Sequence, residues 1–252
     1  EISDAFSFWR KMMPSNPTIA GLSVTKLIDQ YAWLYTSLAA PSGTWDHIIP
    51  VDGAYAAVKT FGGMSVVCFR GSVTFLDWIE DFSMFATPTF VDRLGPIHPG
   101  FYGGVLAVRD MLDKVLAGKV VIVGHSLGAG HALVYAGLRA AAGKAVDGLL
   151  LFGSPRAGGP ELAALLHSVP ALSYRNGDAD GHDLVTDVPV GFPPLINYTP
   201  SFPFTAVRHS PDPADRWGPF RYHHMGHYAA ALGATGAATK TLPGYDLKLL
   251  GP

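Results

Sequence analysis

The chain is poor in charge and in cysteine, and each shortage rules something out. Asp, Glu, Lys and Arg make up only 15% of the 252 residues, with 18 basic side chains against 20 acidic and a net charge of −2. No Lys/Arg cluster stands anywhere along it, so the electrostatic footprint of a nucleic-acid or anionic-membrane binder is missing. One cysteine, Cys68, cannot form an internal disulfide, and its setting in Val66-Val67-Cys68-Phe69 reads as a buried small hydrophobe. Although 48% of the residues are hydrophobic, no apolar run approaches the ~20 residues needed to span a bilayer, so no transmembrane segment and a soluble protein are expected. The first residues lack a basic stretch followed by an apolar one; no signal peptide is visible, and a chain secreted after processing reads the same as a cytoplasmic one. Neither an H-E-x-x-H motif nor a cysteine pair is present, so no metal and no cofactor are expected, although His223, His224 and His227 lie at a ligand-like spacing.

What is present is a succession of apolar runs and helical patterns. The length suits one domain, residues 1–252, able to bury roughly 70% of its unfolded surface. Leu27, Tyr31, Leu34 and Leu38 predict an amphipathic helix from Val24 to Leu38, ended by Pro41-Ser42-Gly43. Met64 to Phe69 predicts a strand, Phe101 to Leu116 a helix with Val105, Val108, Leu112 and Leu116 on one face, and Val120 to Val123 a second strand. Leu149 to Phe152 and Ala171 to Arg175 predict further strands, with a short helix at Leu162 to Leu166 between them and another helix at Met225 to Leu232. Apolar strands separated by helices indicate an α/β protein with a mostly parallel sheet covered on both faces. From Asn176 to Arg221 the chain is rich in Pro, Gly and Asp, which predicts long active-site loops; Tyr198, Phe202, Phe204 and Trp217 are candidates to line an acyl or aryl pocket there.

The sharpest feature is Gly124-His125-Ser126-Leu127-Gly128, placed between the Val120 strand and a small-residue helix pattern from Ala129 to Ala142. Strand, sharp turn, helix is the context of a nucleophile elbow, in which a strained serine is held out of the top of a sheet. The glycines belong to the same geometry, because a Cβ at position 124 or 128 would meet the neighbouring chain. A serine hydroxyl needs a base, and the base needs an orienting group; in this geometry the acid and then the histidine follow the serine in the chain. Asp183, just beyond the Ala171 strand, competes with Asp178, Asp180 and Asp187 as the acid. Of the ten histidines, His223 and His224 at the start of the last helix pattern are the candidate bases, with His227 a surface or packing residue one turn further on. The Leu127 N–H, at the positive end of the elbow helix, is one expected oxyanion donor, and the turn Gly71-Ser72 after the early strand is placed to supply the second.

These segments resemble the class 3 lipase family, which includes the fungal triacylglycerol lipases, with a texture closer to its short bacterial and phage-associated members. The resemblance rests on Cys68-Phe69-Arg70-Gly71-Ser72 followed by Asp77-Trp78-Ile79-Glu80-Asp81, on His98-Pro99-Gly100-Phe101, on the elbow, on Phe152-Gly153-Ser154-Pro155-Arg156, and on Asp183-Leu184-Val185 with Pro189. Together they cover roughly residues 50 to 235 in the family's order. The resemblance implies an α/β-hydrolase fold with Ser126 as nucleophile, Asp183 as acid, His223 as base, and Ser72 with Leu127 as the oxyanion hole; Arg70, Trp78 and Asp81 would support the early loop. His224 and Asp178 stand as alternatives. Two departures bear on this: the fungal disulfides are missing, and Thr186 stands where the family usually carries proline, after an Asp-rich stretch at Gly177 to Gly181.

The resemblance further implies a lid at about residues 74–87, in which Phe75, Leu76, Trp78, Ile79 and Phe82 would contact the acyl chain or a lipid–water interface; a fixed wall is the alternative. The function expected is hydrolysis of lipid (acylglycerol) esters by a serine carboxylic-ester hydrolase through an acyl-enzyme intermediate. A feruloyl, aryl or short-chain carboxylesterase is the alternative within esterases, peptidase or thioesterase activity uses the same constellation, and a catalytically silent binding protein is the alternative of another class.

Overall fold

A computed structural model describes residues 17–28, 45–51, 54–71, 87–190, 197–211 and 218–234. A hairpin of β1 (Thr18–Ile19) and β2 (Leu22–Ser23) leads into helical residues 24–28, and the rest of the helix expected to Leu38 lies outside the described residues. Among the described residues the central sheet has seven strands: β3 (His47–Val51), β4 (Ala54–Phe61), β5 (Met64–Phe69), β8 (Lys119–His125), β9 (Gly148–Phe152), β10 (Ala171–Asn176) and β11 (Thr205–Val207). A second hairpin, β6 (Thr89–Val91) and β7 (Gly95–Ile97), stands apart from it. The helices are α1 (Pro99–Val115), α2 (Leu127–Ala141), α3 (Pro160–Leu166) and α4 (Met225–Ala231).

Across the sheet the order is β11-β10-β9-β8-β5-β4-β3. The first five strands run parallel, and β4 and β3 are antiparallel. Strand alternation sends Val67, Phe69, Val120, Ile122, Leu149 and Leu151 to one buried face, where α1, α2 and α3 pack. The intervening Val66, Cys68, Val121, Val123, Leu150 and Phe152 go to the other, against Val24, Leu27 and Ile28 and against Met225 and Tyr228 of α4. Both faces are therefore covered, which is why these strands read as unbroken apolar runs. Cys68 is fully buried, as its neighbours suggested. Among the described residues no helix is long and apolar enough to cross a membrane.

Three strands run against the sequence expectation or escape it. β3 and β4 give no clear signal: β3 contains Pro50 and is mostly exposed, and β4 is rich in alanine, a weak strand former. β11 lies inside the 176–221 stretch read as loop, together with 3-10 turns at Leu184–Asp187 and Gly218–His223. Three residues are too few to show a period, and β11 exists because it pairs with Tyr174 to Asn176 of β10. Pairing of all five parallel strands in register puts their carboxyl ends along one edge, and Ser126, Gly153 and Asp183 follow strands that end there.

Candidate active site

Ser126 follows β8 directly and caps α2 with φ +58° and ψ −131°, a conformation that costs a non-glycine residue about 1–3 kcal/mol. The surroundings hold it there. Its N–H donates to the Phe152 carbonyl at the end of β9 (3.1 Å), and its own carbonyl accepts from Ala129 and Gly130 as α2 begins. A Cβ on Gly124 would fall on the Gly128 carbonyl, and one on Gly128 on the Phe69 carbonyl, so β8, α2 and β5 approach as closely as only glycine permits. Leu127 is the first residue of α2, and the N–H of a first-turn residue has no acceptor within its helix. Gly71, at the end of β5, lies against the elbow, its would-be Cβ 3.3 Å from the Ser126 Cβ.

The candidate acid and the candidate base come from two further loops on the same edge. After β10, Asp183 caps the 3-10 turn, its Oδ1 accepting from the Val185 N–H at 2.9 Å, while the Thr186 hydroxyl donates to the Asp183 carbonyl at 2.7 Å. Thr186 thus closes the turn at the position where proline was expected. The other carboxylate oxygen, Oδ2, lies 2.7 Å from His223 Nδ1 and accepts a short hydrogen bond from the Tyr228 hydroxyl. Asp183 and His223 are both buried. Burial would push the Asp183 carboxyl up, but the adjacent His223 and its hydrogen bond, with that of Tyr228, outweigh it and hold the carboxyl below the usual carboxylate range. Tyr228 moves the opposite way, since burial and the Asp183 charge raise its phenol well above the ordinary value and keep the proton on oxygen.

Gly153, the residue after β9, fits between these groups and the elbow. Its φ is +52°, and a Cβ there would lie 2.5 Å from Asp183 Oδ2 and 2.8 Å from His223 Nδ1 and Cε1. Because the preceding residue, Phe152, carries the carbonyl that holds the Ser126 N–H, the serine and the Asp183–His223 pair flank one point of the sheet edge. The loop beneath is tied by Arg156, whose N–H donates to Val188 O (2.8 Å) and whose guanidinium meets Asp187 at 3.2 Å; Asp187 also accepts from His182 Nε2 at 2.7 Å. His98 caps α1, its Nδ1 accepting the Gly100 N–H at 3.3 Å.

Among the expected acids and bases, Asp183 and His223 meet, and Asp178, Asp187, His224 and His227 make contacts elsewhere. Asp178 takes the Tyr222 hydroxyl and the Asp180 N–H on its Oδ1. His224 is the N-cap of α4, with its ring edge-on to His227 at 5.5 Å. His227 in turn stacks on His209, the two Nδ1 atoms 2.8 Å apart. Ser72 and the segment with Phe75, Leu76, Trp78, Ile79 and Phe82 lie outside the described residues, as do Asp81 and Trp217. Tyr198 is buried beside His98, and Phe204 lies under the Arg175 guanidinium at 5.2 Å.

Sequence reasoning missed three contributors. Tyr228 reads as one more aromatic on a helix face, Gly153 as a turn glycine, and His125 as the variable position of the pentapeptide. No local pattern marks any of them, because each acts across the sheet edge on residues far away in sequence.

A mostly parallel sheet with helices on both faces, a strained serine between the fourth strand of its order and the helix that follows, and an Asp–His pair on later loops define an α/β hydrolase. The family model for class 3 lipases matches residues 66–192, half of the chain. The chain belongs to the class 3 lipase family, and it is a carboxylic-ester hydrolase. In fold it is similar to the triacylglyceride lipase of Rhizomucor miehei, with a TM-score of 0.55 and 21% identity over 73% of this chain and 79% of that one. It is likewise similar to a lipase from Rhizopus microsporus var. chinensis, with a TM-score of 0.57 and 18% identity over 89% and 91% of the two chains. No curated protein sequence matches it.

Proposed function

We propose that this protein hydrolyses lipid esters, acylglycerols foremost, through an acyl-enzyme on Ser126. The observation that carries the reading is the pair His223 Nδ1–Asp183 Oδ2 at 2.7 Å, packed on Gly153 beside a serine at φ +58°. Asp183 accepts the Nδ1 proton and so leaves His223 Nε2 as the basic nitrogen. Nε2 takes the Ser126 proton as Oγ bonds to the ester carbonyl carbon. The carbonyl oxygen becomes an oxyanion held by the Leu127 N–H and by Ser72, and each such donor is worth about 3 kcal/mol in the transition state. Collapse breaks the bond to the leaving oxygen, which departs as an alcohol with the proton from His223. Water then gives its proton to Nε2 and attacks the acyl-enzyme, and the second collapse releases the acid and returns the proton to Ser126. The preference for long acyl chains rests on the family and on the apolar residues between Phe75 and Phe85.

The test is hydrolysis of p-nitrophenyl esters of increasing chain length, with tributyrin, triolein and methyl ferulate, by the wild type and Ser126→Ala. Activity rising with chain length and lost in the variant is the expected outcome. Wild-type-like turnover by Ser126→Ala would remove the nucleophile assignment, and a preference for methyl ferulate would replace the acylglycerol by an aryl ester.

A further inference from the structure

His125, the residue between the elbow glycine and the nucleophile, has no part in the reaction as written, yet it is fully buried against the base. Its Nε2 lies 2.7 Å from the His223 carbonyl oxygen. A carbonyl oxygen only accepts, so Nε2 carries the proton and the neutral ring keeps its lone pair on Nδ1. The two imidazoles also stack, with centroids 4.5 Å apart and planes 23° from parallel. The ring of Tyr228, which donates to Asp183, stands edge-on to His125 at 5.9 Å. Behind His125, a Cβ on Gly71 would sit 3.1 Å from its carbonyl oxygen and 3.6 Å from its Nδ1, so the end of β5 closes that side.

We infer that His125 is a positioning residue for His223, fixing the backbone of the base through one hydrogen bond and the plane of its ring through a stacked face. The inference rests on His223 being the base. A ring held at Nδ1 by Asp183 alone can still swing about that bond and carry Nε2 off the line to Ser126 Oγ; a second ring on its face removes that freedom. The same face favours the imidazolium that forms when His223 takes the serine proton, since a cation is attracted to a π face in a desolvated site. That attraction needs an uncharged His125. Burial, followed by the proximity of His223, holds the proton affinity of His125 well below the ordinary histidine value and supplies this condition. Acting through His223, His125 contributes to kcat and leaves binding little changed.

Two variants separate the two contacts. His125→Phe keeps a ring on the stack and removes the donor, whereas His125→Gln keeps an N–H donor and removes the ring. Each is expected to lower kcat on a p-nitrophenyl ester roughly tenfold to a hundredfold, the penalty for about an ångström of misalignment, with KM within about twofold of wild type. Wild-type kcat in either variant overturns the inference, as does a loss carried by KM. A measurement on the wild-type protein makes the test independent of how the variants fold. Nitrogen-15 imidazole resonances at pH 7 are expected to show His125 neutral with its proton on Nε2; a charged ring or the Nδ1–H tautomer overturns the inference equally. Ser126→Ala, run alongside, tells the two claims apart, because an active Ser126→Ala refutes the serine mechanism itself, while an inactive one beside fully active His125 variants refutes only the role of His125.

Discussion

Two glycines with nearly the same positive φ offer a way to separate strain from catalytic geometry. Gly62, in the turn between β4 and β5, has φ +54°, and a Cβ there would meet nothing within 4 Å; Gly153 has φ +52° and would meet Asp183 and His223. Gly62 lies at the amino end of β5, at the opposite edge of the sheet from Ser126. Alanine in a left-handed conformation costs about 1–2 kcal/mol, and the reduced freedom of the unfolded chain returns about 0.4–1 kcal/mol of that. Gly62→Ala should therefore lose about 1 kcal/mol of stability and none of its activity. Gly153→Ala carries the strain of a similar positive φ plus a methyl 2.5 Å from Asp183 Oδ2 and 2.8 Å from the His223 ring. Comfortable contact begins near 3.5 Å, so the pair must retreat by about 1 Å. Overpacking of this kind costs about 1–3 kcal/mol more, and an ångström of displacement at a reacting group about a hundredfold in rate. Urea denaturation gives the stability of each variant, and p-nitrophenyl ester hydrolysis, normalised by titrating Ser126 with an organophosphonate, gives kcat. Full kcat in Gly153→Ala would refute the steric reasoning, and an equal loss of kcat in Gly62→Ala would show that strain alone disturbs the site.

Other perturbations follow from the same contacts. Asp183→Asn should lower kcat by about 10⁴-fold, since an amide can donate to His223 Nδ1 and leave the proton on Nε2, the wrong tautomer for a base, while Asp178→Asn stays within about twofold; steady-state kinetics of the two variants decides which carboxylate serves the base. Tyr228→Phe removes a hydrogen bond to a buried carboxylate and should cost about 1.5–3 kcal/mol of stability. The stabilisation from the depressed Asp183 carboxyl is present above pH ~4 and is lost as pH falls through its folded value; the variant should lose it at higher pH, visible as acid unfolding displaced upward. His131, wholly buried in α2 beside Phe69 and Phe101, is pushed by burial down to about 4. Below the unfolded value of 6.5 the unfolded chain takes up a proton that the folded one refuses, so stability drains away between pH ~6.5 and ~4, by about 3 kcal/mol at the lower end. His131→Leu should flatten that slope in denaturation curves taken across this window, and an unchanged slope would place the acid sensitivity elsewhere.

Several parts of this arrangement were legible residue by residue. The Val66 and Val120 runs are strands because both of their faces are buried, and a continuous apolar run is what two covered faces require. Ser126 was legible for a local reason, since glycines at 124 and 128 permit the close approach of β8, α2 and β5 that the turn demands. β3, β4 and β11 were not, because a proline-containing exposed segment, an alanine-rich one and one of three residues acquire strand structure only from the partner they pair with. Spacing alone left His223 against His224 and Asp183 against Asp178 open, and only the family resemblance favoured the first of each. Adjacent residues of one type differ only in the direction their side chains take, and that direction is set by the turn before α4 and by the 3-10 turn that Asp183 caps.

The sequence by itself determined the α/β class and the elbow, since both depend on periodicity and on contacts between near neighbours, and the fold these imply sets the order serine, acid, histidine along the chain. Only the tertiary structure decided which acid and which histidine meet, and that Gly153, Tyr228 and His125 surround them. The hydrogen bonds among them join residues 40 to 98 positions apart, brought together where five parallel strands end on one edge, and no local propensity encodes a distance of that kind.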